Sequence, residues 1–214
     1  QMIDRTIWIA RHGNRLDFVE PNWFEKADRP YDSPLSEDGE IQAKELGQRL
    51  KKEGIAHIFA SPFLRTVQTA NAVADALDLP LNLEWGLCEW LNAEWMPSFP
   101  ETLEIDVLAQ QYPRIDRHYR SRVMPEYPEQ DDDCWRRTRI TAQQLVGDFA
   151  GDILMIGHGA SVLGSAIGLV GGSPHIRTPL CCLVKIVRCE SQWVLELNGD
   201  TSHLSAGENT VRWW

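Results

Sequence analysis

Three short polar stretches in this 214-residue chain carry side chains that are suited to phosphoryl-transfer chemistry. The first follows an alternating apolar run and holds Arg11, His12, Gly13 and Arg15. Guanidinium groups bind and neutralise phosphate oxygens, while a neutral histidine nitrogen can attack phosphorus. Gly13, which has no Cβ, would let a ligand approach the backbone. A strand that simply ends in polar residues has the same appearance, so the chemical interpretation depends on partners elsewhere in the chain.

The other two stretches follow apolar runs in the same way. Arg65 comes after residues 55–60, at the predicted start of a helix, where the N-terminus attracts anions. His158 lies between two glycines after the apolar run 153–156 and so repeats the pattern around His12. An arginine on the surface of a first helical turn is the ordinary alternative for Arg65.

Glu89 is a candidate general acid because it lies between Cys88 and Trp90. Apolar neighbours disfavour the charged form of a carboxyl group, and a general acid must hold its proton until the reaction needs it. An exposed glutamate in a loop is the ordinary alternative. Trp90 and Trp95 would also suit a hydrophobic mouth for substrate, although packing in the core explains either one as well.

The elements that must position these side chains alternate between strands and helices. Strands are predicted at 7–10, 55–60, 79–84, 153–156, 184–187 and 194–197, and helices at 37–50, with Ser36 as N-cap, 65–77 and 160–170. This alternation predicts an α/β fold with a mostly parallel central sheet and helices on both faces. Right-handed crossovers bring successive strand ends to one edge of such a sheet. We therefore expect the three cationic loops to converge.

The middle of the chain is the least β-like part. We expect helices at Thr102–Val123 and Asp133–Phe149, separated by a proline-containing turn. The chain is interpreted as a single domain, 1–214, with a helical insertion at about 91–150. The acidic run 131–133 is expected to be a solvated helix start, because it lacks the ligand spacing of a metal site. The long loop Leu16–Ser33 is expected to line the site.

Composition limits the classes of partner. The net charge is −10 and the pI is about 5.0, which argues against a nucleic-acid partner and requires any phosphate site to be a local positive pocket. The apolar stretch 153–172 divides into strand, turn and helix, so we expect no membrane span. Five irregularly spaced cysteines and the lack of a signal-like N-terminal pattern favour reduced thiols and a cytoplasmic location.

Cys182 and Arg188 have the Cys-x5-Arg spacing of cysteine-dependent phosphatases. Such phosphatases need a glycine-containing loop whose N–H groups curl around phosphate. Residues 183–187 alternate and are β-branched, so they should be extended instead. We do not expect a thiol mechanism.

The chain resembles the histidine phosphatase superfamily, whose members include phosphoglycerate mutases and acid phosphatases. Arg-His-Gly, Ser-Pro-x-x-Arg-x-x-Gln-Thr-Ala at 61–70 and Gly-His-Gly at 157–159 match it in order and spacing, over most of the chain. Arg-His-Gly-Asn-Arg-x-Asp, Glu89-Trp90 and the C-terminal stretch 208–213 are most similar to the suppressor-of-T-cell-receptor-signalling, or ecdysteroid-phosphate phosphatase-like, domains. The resemblance implies the phosphoglycerate mutase-like fold.

The resemblance also implies roles. His12 would be the nucleophile that becomes phosphohistidine, and Glu89 would protonate the leaving oxygen. The phosphoryl oxygens would be held by Arg11, Arg15, Arg65 and His158. No metal and no cofactor are expected.

Where the mutase motif continues with a serine and a later asparagine, this chain has Asn14-Arg15. The departure favours hydrolysis over transfer between hydroxyls. The expected partner is a phosphorylated small molecule. A phosphoglycerate-type mutase and a catalytically idle interaction module of the same fold are the alternatives, and a homodimer is left open.

Overall fold

The computed structural model describes residues 2–208, and within them the chain forms a six-stranded sheet in the order β3-β2-β4-β1-β5-β6. The strands are β1 (Ile3–Arg11), β2 (Ile55–Ala60), β3 (Leu81–Leu83), β4 (Asp152–Gly157), β5 (Leu183–Cys189) and β6 (Gln192–Asp200). β1 to β4 pair in parallel, whereas β5 runs antiparallel to both β1 and β6. The sheet is therefore mixed and mostly parallel, which confirms the predicted fold class.

Helices cover both faces of the sheet. They are α1 (Leu16–Val19), α2 (Trp23–Lys26), α3 (Glu37–Leu50), α4 (Leu64–Leu77), α5 (Ile105–Gln111), α6 (Asp131–Asp148) and α7 (Gly159–Val170), with a 3-10 helix at Trp85–Leu87. On one face Trp8 of β1 packs with Leu46 of α3 and Val67 of α4, while on the other Ile9 packs with Leu145 of α6. Because neighbouring residues of a strand point to opposite faces, a strand covered on both faces must be apolar at consecutive positions, as β1 is from residue 7 to residue 10.

Local sequence signals account for several element boundaries. The Oγ of Ser36 accepts a hydrogen bond from the backbone N–H of Gly39 at 3.2 Å, which confirms Ser36 as the N-cap of α3. The acidic run 131–133 forms the first turn of α6, and Asp133 accepts from the N-cap N–H of Gln130 at 2.9 Å. The predicted bounds of β2 are confirmed, whereas β3 is shorter than the predicted 79–84.

The predicted helix at Thr102–Val123 is wrong, because only Ile105–Gln111 is helical. Pro113 has no N–H and disfavours helical geometry at Tyr112, whose φ and ψ are −127° and 82°. The chain then joins the edge of the sheet. The N–H of Leu81 donates to the Arg114 carbonyl at 2.8 Å, and its carbonyl accepts from Asp116 at 2.9 Å. Pairing with β3 therefore replaces the helix.

Gly13 packs closely against the backbone of another part of the chain. A Cβ on Gly13 would lie 2.7 Å from the Gly39 carbonyl oxygen, and a Cβ on Gly39 would lie 2.1 Å from the Asn14 carbonyl oxygen. The backbone after β1 therefore packs directly against the first turn of α3. This backbone contact leaves no room for a Cβ on Gly13, and the role of Gly13 in ligand approach stays a prediction.

The five cysteines all lie in the described part of the chain and are free thiols. Burial raises the pKa of Cys182 to about 12, so its thiol is not a ready nucleophile. Residues 183–187 belong to the extended strand β5, as predicted. Both observations weigh against a cysteine-dependent mechanism.

Between residues 2 and 208, no helix combines the length and the apolar character that crossing a bilayer requires. Residues 209–213, which contributed to the resemblance at the C-terminus, lie outside the described residues.

Two helical glycines should respond in opposite ways to substitution by alanine. Gly39→Ala places a Cβ against the Asn14 backbone and should lower the free energy of unfolding by about 1–3 kcal/mol, as overpacking does. Gly147→Ala in α6 meets no atom within 4 Å and should be neutral or stabilise by up to about 1 kcal/mol. Urea unfolding measures both. Equal changes in the free energy of unfolding for the two variants would contradict the contact between Gly39 and the Asn14 backbone.

Candidate active site

The loops that follow β1, β2 and β4 meet at one end of the sheet. Arg11 and Gly157 are paired across the parallel strands β1 and β4, which places the following residues, His12 and His158, side by side. Their ring centroids are 5.3 Å apart at an interplanar angle of 64°. Arg65, in the first turn of α4, is buried with them. The predicted convergence of the three loops is therefore present.

His12 presents one free ring nitrogen. Its Nδ1 lies 2.7 Å from the carbonyl oxygen of Gly13, and because a carbonyl can only accept, this contact assigns the proton to Nδ1. Nε2 is left with a lone pair and is buried without a hydrogen-bond partner among the described residues. Burial and the charges of Arg65, Arg11 and Arg15 hold the pKa of His12 well below its usual value. The imidazole is therefore neutral and can attack.

His158 presents the opposite kind of group. Its Nδ1 lies 3.5 Å from Oε2 of Glu89, an acceptor, while Nε2 lies 2.9 Å from Oγ of Ser61. This environment favours a proton on Nδ1, with Nε2 accepting from the Ser61 hydroxyl. Burial and the charge of Arg65 lower the pKa of His158 well below its usual value. His158 can therefore donate a hydrogen bond without carrying charge.

Ser61 is a functional candidate to which sequence reasoning assigned no role. Its Oγ also accepts from the backbone N–H of Phe63 at 3.3 Å, which orients the hydroxyl toward His158. The signal was the serine that opens the Ser-Pro-x-x-Arg motif.

Arg15 and Arg11 are both buried and anchored. Nε and Nη2 of Arg15 donate to the two carboxylate oxygens of Asp17 at 2.9 and 2.6 Å. Nη1 of Arg11 donates to the Thr178 carbonyl at 2.8 Å. A bidentate carboxylate fixes the plane of a guanidinium, so Asp17 orients Arg15. Asp17 is the second residue that was overlooked, although it ends the Arg-x-Asp part of the N-terminal motif.

Arg65 and Glu89 form a buried pair. Nη2 of Arg65 lies 3.4 Å from Oε2 of Glu89, and the exposed fractions of their side chains are 2% and 1%. Burial, followed by the charge of Arg15, lowers the pKa of Arg65 to about 10, which leaves it positive at neutral pH. The alternatives of a surface arginine and an exposed glutamate are therefore both wrong.

The surroundings of Glu89 are polar as well as buried. Oε1 accepts from the backbone N–H of Trp90 at 2.9 Å, and Oε2 faces Arg65 and His158. Glu89 is therefore surrounded by polar groups as well as by the apolar neighbours expected from the sequence. Trp90 and Trp95 pack on each other with ring centroids 5.1 Å apart, and both are only partly buried.

A small cavity of about 10 Å³ opens at this cluster, and its lining joins the charged groups to apolar ones. Phe24 and Tyr31 come from the segment 16–33, so the expectation that this loop lines the site is met. The lining consists of Arg15, Phe24, Pro30, Tyr31, Arg65, Glu89 and Met96.

Four buried nitrogens of this cluster have no hydrogen-bond partner among the described residues. They are Nε2 of His12, Nδ1 of His158, Nη1 of Arg15 and Nε of Arg65. Buried polar groups are almost always satisfied. Unpaired nitrogens of two guanidiniums and two imidazoles, close to one another, are suited to an oxyanion such as phosphate.

Residues 2–208 contain no group of three or more histidine, cysteine, aspartate or glutamate side chains placed to hold a metal ion.

The family model of the histidine phosphatase superfamily, branch 1, matches residues 7–201. The chain belongs to this superfamily. The transcription factor tau 55 kDa subunit of Saccharomyces cerevisiae is 28% identical over 97% of this chain and 58% of its own length. The ecdysteroid-phosphate phosphatase of Drosophila melanogaster is 26% identical over 90% of this chain and 32% of its own. The chain thus spans less than two thirds of either relative.

A third relative has a comparable length. The probable phosphoglycerate mutase GpmB of Yersinia enterocolitica is 31% identical over 92% of this chain and 94% of its own. Among solved structures, the ecdysone phosphate phosphatase of Bombyx mori in complex with tungstate superposes with a TM-score of 0.79 at 22% identity, covering 98% of both chains. The fold of that enzyme is the fold of this chain.

The two neutral histidines should make stability depend on pH. Below the unfolded pKa of about 6.5 the unfolded chain binds protons that folded His12 and His158 do not, so stability is full above that pH and falls as the pH drops. Each histidine should contribute a slope of about 1.4 kcal/mol per pH unit. Urea unfolding between pH 7 and 5, in buffer without phosphate, measures the slope.

His12→Asn and His158→Asn should each make this slope shallower, whereas His118→Asn at an exposed position should leave it unchanged. A slope that is the same in all three variants and the wild type would mean that the two buried rings take up protons in the folded protein.

Proposed function

We propose that this chain is a metal-independent phosphomonoesterase that acts through a phosphohistidine on His12. The observation that carries the proposal is the neutral His12, whose buried Nε2 lone pair lies in a cluster with Arg11, Arg15 and Arg65. Membership of the histidine phosphatase superfamily supports it.

In the first step Nε2 of His12 attacks phosphorus, and the bond from phosphorus to the ester oxygen breaks. Glu89 gives its proton to the leaving oxygen, which departs as an alcohol. In the second step Glu89 accepts a proton from water, whose oxygen attacks the phosphohistidine and releases inorganic phosphate.

The guanidiniums supply the positive charge that this reaction needs. Phosphoryl transfer is accelerated mainly by positioning and by neutralising charge on the equatorial oxygens. Arg11, Arg15 and Arg65 are buried, where their charge acts through a low dielectric. We therefore assign phosphate binding to these arginines together with Nδ1–H of His158.

The substrate that fits this proposal is a small phosphate ester with an apolar or aromatic leaving group. Phe24, Tyr31 and Met96 line the cavity beside the phosphate-binding arginines, and the rings of Phe24 and Tyr31 lie 5.6 Å apart. The name of the Drosophila relative, an ecdysteroid-phosphate phosphatase, supports this class. A cytoplasmic location and a homodimer stay predictions.

A phosphoglycerate-type mutase is the second candidate, because the Yersinia relative carries that name. The side chain of Asn14 is already engaged, because its Nδ2 donates to Asp38 at 2.9 Å, and Arg15 is assigned to phosphate binding. We therefore favour hydrolysis. Following 3-phosphoglycerate with separate assays for isomerisation and for released phosphate distinguishes the two activities.

A catalytically idle interaction module is the third candidate, suggested by the name of the yeast relative. The attacker, the acid and the phosphate-binding groups are all present and clustered in this chain, which weighs against an idle copy. Acid-labile labelling of His12 by a phosphate donor tests this candidate.

His12→Ala should abolish hydrolysis of p-nitrophenyl phosphate measured in EDTA, with a loss of at least about 10³-fold in kcat, because no other group replaces the attacking nitrogen. The wild type should accumulate an acid-labile phosphoenzyme under rapid quench, and His118→Ala should behave like it. Full activity in His12→Ala, or loss of wild-type activity in EDTA, would overturn the mechanism.

Phe24→Ala should raise KM for naphthyl phosphate by about 10-fold, the effect of about 1.4 kcal/mol of lost apolar contact, and should leave KM for methyl phosphate unchanged. Phe99→Ala is the matched control, because Phe99 is also half-exposed but does not line the cavity. If both variants changed the two KM values equally, the assigned substrate class would be wrong.

A further inference from the structure

The segment that carries Glu89 has little regular structure of its own. A 3-10 helix ends at Leu87, and Cys88 and Glu89 follow in a loop. A general acid must nevertheless lie within hydrogen-bond distance of the leaving oxygen. Something outside the segment must therefore hold its backbone in place.

Arg137 of α6 lies directly behind this segment and is buried, with an exposed fraction of 6%. Its Nη1 donates to the carbonyl oxygens of Gly86 at 2.9 Å and Cys88 at 3.0 Å. Its Nη2 donates to the carbonyl oxygen of Glu89 itself at 3.1 Å. One guanidinium thus binds three backbone carbonyls within four residues of the chain.

Glu129 binds the guanidinium of Arg137 and is its counter-ion. Its two carboxylate oxygens accept from Nε and Nη2 of Arg137, both at 2.7 Å. Oε1 of Glu129 also accepts from the backbone N–H of Leu91 at 3.0 Å, and its carbonyl accepts from Nε1 of Trp90 at 2.9 Å. The Arg137–Glu129 pair therefore forms hydrogen bonds with backbone groups both before and after Glu89.

We propose that Arg137, with Glu129 as its counter-ion, is a positioning residue that keeps the Glu89 carboxyl aligned with the leaving oxygen. The proposal rests on the phosphomonoesterase function proposed above and assigns the function of this buried ion pair. Arginine is required because its planar fork has five donors, whereas lysine carries the same charge on one nitrogen and cannot bridge three carbonyls and a carboxylate.

Loss of this positioning should affect esters with a strongly basic leaving group more than esters with a weakly basic one. Displacing Glu89 removes protonation of the leaving oxygen, and proton transfer from water in the second step, but leaves attack by His12 and phosphate binding in place. The value of kcat/KM reports the first step, in which the ester bond breaks. A leaving group that departs readily as an anion, such as 2,4-dinitrophenolate, needs little protonation. Phenolate, a much stronger base, needs it, so the two esters report on the acid separately from the rest of the site.

Arg137→Lys should lower kcat/KM for phenyl phosphate about 10-fold more than kcat/KM for 2,4-dinitrophenyl phosphate, a part of the 10²- to 10⁴-fold that general acids supply. Glu89→Gln should show the full selective loss.

Arg5→Lys is the matched control. Arg5 also donates to backbone carbonyls, those of Val146, Phe149 and Gly151, but it lies near the start of β1, away from the Glu89 segment. The substitution should cost stability and leave the ratio for the two esters at the wild-type value. A purely structural role for Arg137 predicts the same behaviour as Arg5.

A double variant tests whether Arg137 acts through Glu89. In the Glu89→Gln background, Arg137→Lys should add almost nothing to the loss with phenyl phosphate, because the acid is already absent. If Arg137→Lys does not fold, Glu129→Gln is used in its place. It keeps an acceptor for Leu91 but removes the counter-ion, and it should change the ester ratio in the same direction.

Equal losses for the two esters, or additive losses in the double variant, would overturn the proposal. Both results leave the phosphohistidine mechanism intact, provided that His12→Ala is inactive. Activity in His12→Ala would instead refute the mechanism itself, so the two failures are distinguishable.

Discussion

The hydrogen bond between Nδ1 of His12 and the carbonyl oxygen of Gly13 is the interaction on which the site depends. It places the proton on one nitrogen and the lone pair on the other, inside a pocket where burial and neighbouring guanidiniums exclude a second proton. The Gly13 carbonyl is held in turn, because the backbone there lies against the first turn of α3. The tautomer of one ring is thus set by the packing of a helix on a strand end.

Collecting Arg11, Arg15 and Arg65 in one buried place is unfavourable unless counter-charges are close. Asp17 pairs with Arg15 and Glu89 lies against Arg65, while both histidines contribute no charge. The site therefore stays locally positive within a chain whose net charge is −10. This balance offsets part of the repulsion between the arginines and leaves a local positive charge, which suits the phosphate of the proposed substrate.

Much of this could be predicted from sequence, because strand ends and helix starts are local signals. The apolar run before each polar turn located His12, Arg65 and His158, and parallel topology then required them to meet. Contacts between distant segments could not be predicted in this way. The role of Gly13 depends on Gly39, the helix expected at 102–123 gives way to pairing with β3, and Arg137 meets Glu89 across 48 positions.

The proposed acid lies further from its strand than the two histidines do. Glu89 follows the end of β3 through a 3-10 helix, whereas His12 and His158 each follow a strand directly. In-line displacement puts the attacking and leaving atoms on opposite sides of phosphorus. In the proposed mechanism the attacker and its phosphate ligands lie at or near strand ends, whereas the proton donor for the leaving oxygen must reach the opposite side of phosphorus. Irregular backbone satisfies few of its own hydrogen bonds, so the Glu89 segment needs outside partners. A guanidinium behind it supplies them, which explains why so buried a charge pair as Arg137–Glu129 lies beside the site.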